Sequence, residues 1–106
     1  MERKGLDVII KTPDELKHFV YDQMYEIRNE LLQNKDANLT IARVIGNLTF
    51  KASDIVEYFD ECNELFLGLG MAYELMYDIA ELADLIKDTK VKEIAYNTAD
   101  RIYNSI

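Results

Sequence analysis

The sequence predicts an all-α fold, a compact bundle of four to five helices. Three observations predict it. Apolar residues recur at three- and four-residue steps through most of the chain. The single proline stands inside a helix-start signal, Thr12-Pro13-Asp14-Glu15. The composition, 49% apolar over 106 residues, is that of one globular domain. The expected organisation is a single helical domain over 1–106, with an extended segment at 1–11 and the bundle from 12 onward.

The elements follow in chain order. Residues 6–10, LDVII, are a short β-branched run that suits either an edge strand or an extended packing tail. At the next signal Thr12 can accept the amide proton of Glu15, and the Glu15 carboxylate can reach back to the Thr12 amide. Pro13 falls at the first helical position, where its missing N–H is not needed. Leu16, Phe19, Val20, Met24, Ile27 and Leu31 then form one apolar stripe, with the helix ending near Asn34. A second stripe, Tyr21, Tyr25 and Leu32, lies about 130° round from the first. A shorter helix is expected from Leu39 to Asn47, with Asn38 as N-cap and Gly46-Asn47 as its end. Ser53 is a candidate N-cap for a third, whose stripe is Ile55, Phe59, Cys62, Phe66 and Leu69, closed by Gly68 and Gly70. The next carries Ala72, Leu75, Met76, Ile79, Leu82, Ala83 and Ile86. The last starts near Lys90 and buries Val91, Ile94, Ala95, Thr98 and Ile102, with the Thr98 hydroxyl free to bond the Ile94 carbonyl. Apolar residues also repeat every seven positions from 41 to 76, a pattern one long helix would share. The three glycines inside it favour separate helices that stay in phase.

Composition excludes several function classes. One Cys cannot make a disulfide framework within the chain and fits a reducing, cytoplasmic compartment. No apolar run reaches the roughly 18 residues of a membrane span, and MERKGLDVII is short for a secretory signal. A net charge of −8 argues against direct nucleic-acid binding, which needs a basic footprint. Neither a membrane nor a nucleic acid is an expected partner.

That charge is concentrated. The 35 residues between Lys51 and Lys87 hold nine acids and no Lys or Arg: Asp54, Glu57, Asp60, Glu61, Glu64, Glu74, Asp78, Glu81 and Asp84. The other 71 residues sum to +1. On helical wheels these acids turn away from the apolar stripes, and like charges at i+3 and i+4 have no local lysine to relieve them. If the two helices are antiparallel neighbours, their acids would make one negative sheet. This predicts a non-enzymatic protein-binding module or inhibitor whose acidic face docks a basic protein, with a nucleic-acid-binding protein as the natural target. The small acidic DNA mimics of phages, some anti-CRISPR proteins among them, are similar in physical type. A solvated face is the simpler alternative.

An enzymatic alternative uses the same residues. Asp60-Glu61-Cys62-Asn63-Glu64 followed by Glu81-Leu82-Ala83-Asp84 resembles the [ED]ExxE…ExxD pattern of the MazG-like all-α nucleoside triphosphate pyrophosphohydrolases. The resemblance implies Glu61, Glu64, Glu81 and Asp84 as Mg²⁺ ligands, with Lys92 and Asn97 on phosphate and base. In the favoured binding-module reading there is no catalytic residue, no metal and no cofactor. Arg28-Asn29 with Gln33 resembles the Arg-Asn-x-x-x-His of HEPN-type RNases, but Gln33 has no proton to give. His18 reads as a helix-surface residue, and Cys62 as a small buried hydrophobe. Gly68-Leu69-Gly70 lacks the Lys-Ser or Lys-Thr of a phosphate loop. Six of the seven tyrosines fall in helix-neighbour pairs. Most simply they line bundle boundaries, and Tyr21, Tyr25, Leu32, Tyr96 and Tyr103 are the candidate residues for a homodimer contact.

Overall fold

The computed structural model describes residues 12–105; the segment expected to be extended at 1–11 lies outside the described residues, as does Ile106. Four helices account for nearly all of the described chain: α1 Pro13–Gln33, α2 Leu39–Glu61, α3 Leu65–Leu85 and α4 Thr89–Ser105. No strand occurs among the described residues.

Helix α1 begins with the predicted capping box. The Glu15 amide donates to Thr12 Oγ1 (3.1 Å) and the Thr12 amide to Glu15 Oε1 (3.2 Å), with Pro13 at the first helical position. Asn38 caps α2, its Oδ1 accepting from the amides of Thr40 (2.9 Å) and Ile41 (3.1 Å). The expected break at Gly46-Asn47 does not occur. α2 runs unbroken through Gly46, and Ser53 sits half-buried within it rather than capping a new helix. The glycines at 68 and 70 likewise lie inside α3 and end nothing.

The physical reason is that a glycine stops a helix only when it takes up the left-handed conformation, and none of the described glycines does. Asn63 (φ 62°) and Lys87 (φ 57°) do so instead. At Asn63 the Glu64 amide returns to the Phe59 carbonyl (2.7 Å) and the Asn63 amide to that of Asp60 (3.0 Å). At Lys87 the Asp88 amide reaches Ala83 (2.9 Å) and the Lys87 amide Asp84 (3.1 Å). Both are Schellman closures, which satisfy the orphan carbonyls of a helix end. The reversal at 62–64 therefore cuts the seven-residue repeat ahead of the expected break at Gly68 and Gly70, nearly two turns earlier. It places Cys62 at the exposed C-cap of α2 and leaves Phe66 half-exposed, so neither belongs to the core.

The helices alternate in direction. Lys17 near the start of α1 meets Asp60 near the end of α2, Tyr73 of α3 stacks on Tyr103 of α4, and Asn34 at the end of α1 bonds Asp88 at the start of α4. α3 packs extensively on α2 and α4, while α1 bridges α2 and α4 and barely touches α3. Small residues permit the close pairs: Ala52, Gly68, Ala72, Ala80, Ala83, Ala95 and Ala99 are all buried. Met24, Ile27, Ile45, Leu69, Met76, Ile79 and Ile102 fill the space between, each contributing about 1.5–3 kcal/mol by leaving water. The predicted bond from Thr98 Oγ1 to the Ile94 carbonyl is present at 2.7 Å.

Candidate functional site

All nine acids of the negative segment lie toward solvent. Eight are exposed, and Asp60 is half-buried. They do not, however, form one sheet. Asp54, Glu57, Asp60 and Glu61 occupy the second half of α2, and the last three bear on Tyr21 of α1. Burial pushes the Tyr21 hydroxyl above its ordinary pKa. Lys17 opposes the shift, and Glu57, Asp60 and Glu61 add to it. The acids of α3 instead follow its outward side, with Asp84 reaching across to α4.

Two of the nine are relieved from outside the segment. Lys17 Nζ donates to Asp60 Oδ2 at 2.6 Å and lies 3.3 Å from Asp14. Lys92 Nζ donates to Asp84 Oδ1 at 2.8 Å. Each bond holds its lysine above the usual pKa range, the hydrogen bond to the carboxylate being the main cause. Local sequence spacing finds no counterion because the counterions come from α1 and α4. The remaining seven, Asp54, Glu57, Glu61, Glu64, Glu74, Asp78 and Glu81, make no ion pair among the described residues.

The ligand set implied by the pyrophosphohydrolase resemblance is not brought together within the chain. Glu61 and Glu64 flank the α2–α3 reversal, whereas Glu81 and Asp84 occupy the other end of α3. At 1.5 Å per residue Glu64 and Asp84 are about 30 Å apart along the axis. No cluster of three or more His, Cys, Asp or Glu able to hold a metal ion occurs among the described residues. Lys92, implied as a phosphate contact, is bonded to one of the supposed ligands.

The six paired tyrosines separate into two places. Tyr103 stacks on Tyr73 (ring centroids 6.0 Å, 28° between planes), Tyr73 meets Tyr77 edge-on (5.2 Å), and Tyr77 meets Tyr96 (5.7 Å). These four rings staple α3 to α4. The hydroxyls of Tyr73 and Tyr77 lie 3.4 Å apart, and that hydrogen bond, with burial adding, pushes Tyr73 up to about 12. Tyr21, Tyr25 and Leu32 belong to α1: Tyr21 is half-buried, Tyr25 has Arg28 at 6.0 Å from its ring centroid, and Leu32 is exposed. The self-association residues thus lie on two surfaces, not on one patch.

A feature missed in the sequence is the groove between α1 and α2. Arg28 Nη1 donates to Thr49 Oγ1 (3.2 Å), and Thr49 in turn donates to the Gly46 carbonyl (2.6 Å). The guanidinium lies 4.1 Å from the Phe50 ring centroid. Beside it opens a groove of about 410 Å³ lined by Leu31, Leu32, Leu39, Ala42, Arg43 and Gly46. The available signal was Thr49, a hydroxyl on the same face as Ile45, Ala52 and Val56. Buried Arg101, its guanidinium 4.9 Å from the Phe19 ring centroid, had no signal beyond its place next to Ile102.

No helix among the described residues is long and apolar enough to cross a membrane. No protein-family model, curated protein or solved structure matches the chain, so its surfaces alone bear on what it binds.

Proposed function

We propose that the chain is a non-enzymatic protein-binding module that docks a basic protein surface through α3. The observation that carries this reading is the row Glu74, Asp78 and Glu81. All three are exposed at i, i+4 and i+7 on a helix with no Lys or Arg, and none makes an ion pair among the described residues. Like charges at these spacings disfavour the helix by a few tenths of a kcal/mol per pair, and a cationic partner removes that repulsion. Exposed Met71, Tyr77 and Leu85 edge the row with apolar area of the kind interfaces bury. The acids of α2 support the row more weakly, because that helix also carries Arg43 and Lys51.

The partner class that fits is a nucleic-acid-binding protein whose basic groove ordinarily holds phosphates. Carboxylates in a row then stand where phosphates lie, and the chain acts as a competitor of the nucleic acid. Its association is fast and weakens with salt.

The test is capture of basic proteins on the immobilised chain at low and high salt, with duplex DNA as competitor. The triple variant Glu74→Lys, Asp78→Lys, Glu81→Lys should lose salt-sensitive capture while remaining helical. Capture that is indifferent to salt, or undiminished in that variant, removes α3 from the account.

A further inference from the structure

The solvent side of α2 has its own charge pattern, opposite in character to that of α3. Its first thirteen residues carry Arg43 and Lys51 and no acid, and its last ten carry Asp54, Glu57, Asp60 and Glu61 and no base. Phe50, 55% exposed, stands at the boundary. Arg43 lies seven residues before Phe50 and Glu57 seven after it, and Leu39 and Glu61 lie eleven to either side. Positions 43 and 57 are fourteen residues apart, so they fall within about 40° of each other on the helix and about 21 Å apart along it. All five residues are exposed.

From this we infer that α2 is a self-complementary surface that pairs antiparallel with α2 of a second copy, about a two-fold axis at Phe50. Rotation about that axis sets Arg43 of each copy against Glu57 of the other, and Phe50 against Phe50. A two-fold interface requires this property, that one patch be its own complement. The groove between α1 and α2 adds to it. Its apolar floor is flanked by Arg28, held by Thr49, and by Arg43. The aliphatic stems of Glu57 and Glu61 from the second copy reach that rim with their carboxylates toward the two guanidinium groups. Gly46, whose Cα has nothing within 4 Å of where a Cβ would stand, leaves room for close approach. A stripe about 34 Å long and 10 Å wide covers about 350 Å² per copy. That is below the roughly 800 Å² per partner of a standard interface, so the dimer is weak and concentration-dependent.

This surface is separate from the α3 row, and the test leaves that row untouched. Sedimentation equilibrium over a concentration series at low and high salt should show monomer and dimer, with association falling as salt rises. Arg43→Glu alone, and Glu57→Arg with Glu61→Arg, should each weaken self-association about tenfold or more, because each sets like charges across the axis. An equimolar mixture of the two variants should recover the dimer, since every like-charge contact then becomes an opposite one. Circular dichroism checks that each variant is helical. A wild-type chain that stays monomeric at the highest concentration overturns the proposal. So does a dimer indifferent to both variants, or association that the mixture fails to restore. A dimer lost in Tyr103→Glu yet kept in Arg43→Glu also overturns it, placing the contact on α4.

Discussion

Gly68 of α3 lies directly against Phe59 of α2: a Cβ at position 68 would stand 2.8 Å from the Phe59 Cβ, 3.2 Å from the Ile55 carbonyl oxygen and 3.4 Å from the Val56 Cα. The first two obstacles are a Cβ and a backbone oxygen, not the far end of a flexible side chain. Gly68→Ala therefore has to separate α2 from α3. It should lower unfolding stability by about 1–3 kcal/mol in urea denaturation, the usual range for an overpacked contact. A Gly68→Ala protein as stable as the parent would mean that the two backbones are not this close.

The other two described glycines behave oppositely. Nothing lies within 4 Å of a Cβ added at Gly46 or Gly70, and both residues are inside helices. Gly46→Ala and Gly70→Ala should each raise stability by about 0.5–1 kcal/mol through the entropy that glycine adds to the unfolded chain. The two sites are separate in space, so the gains should add. Thermal melts of the single and double variants measure this.

Lys87 and Asn63 end their helices in the left-handed region, which for an ordinary side chain costs about 1–2 kcal/mol. Lys87→Gly should stabilise by about 1 kcal/mol. The gain at Asn63→Gly should be smaller, since asparagine tolerates that conformation better than lysine. Equal gains at the two sites would point to another origin.

Asp88 has two roles at the start of α4. Its Oδ1 accepts from the Val91 amide (3.1 Å) and its Oδ2 from Asn34 Nδ2 (2.8 Å), which ties the end of α1 to α4. Asp88→Ala should cost about 1–2 kcal/mol as the loss of a buried N-cap. A double-mutant cycle with Asn34→Ala should show coupling above about 0.5 kcal/mol, because the two side chains share a bond.

Stability should fall on the alkaline side. The lysine pKa values of Lys17 and Lys92 and the phenol pKa of Tyr73 are all raised in the fold, the last to about 12. A group with a raised folded pKa holds its proton more tightly in the native chain than in the unfolded one. The stability it contributes is complete below the unfolded value, near pH 10, and is lost as pH rises through the folded value. Denaturation midpoints should therefore drop between about pH 10 and 12. Tyr77→Phe removes the main cause at Tyr73, so its phenolate absorbance should appear at lower pH. An unchanged titration would mean that the Tyr73–Tyr77 hydroxyl bond is not formed in solution.

Much of this architecture was legible in the chain. The capping box at Thr12, the Asn38 cap, the stripe from Leu16 to Ile27 and the core faces of α3 and α4 are local patterns of period 3.6, which a sequence carries in full. The reversals after α1 and near Asp88 were placed correctly. The one at 62–64 was not, because Gly68 and Gly70 are more conspicuous than Asn63. Cys62 and Phe66 fell out of the core for the same reason. A helix end is decided by which residue adopts the left-handed conformation and closes the carbonyls, and composition does not mark that residue uniquely.

Sequence alone settled that the fold is helical, where α1 starts and that nine carboxylates crowd one stretch and face outward, since these depend on neighbours within a turn or two. Which of those carboxylates meet a cation was settled only by packing. Lys17 reaches Asp60 across 43 positions, and Lys92 reaches Asp84 from the next helix. A Coulomb interaction acts through space, so antiparallel packing pairs two acids of the negative run, Asp60 and Asp84, and leaves seven without an ion pair among the described residues. It also made Gly68 a contact rather than a stop, since the room for a side chain depends on what the neighbouring helix brings to it.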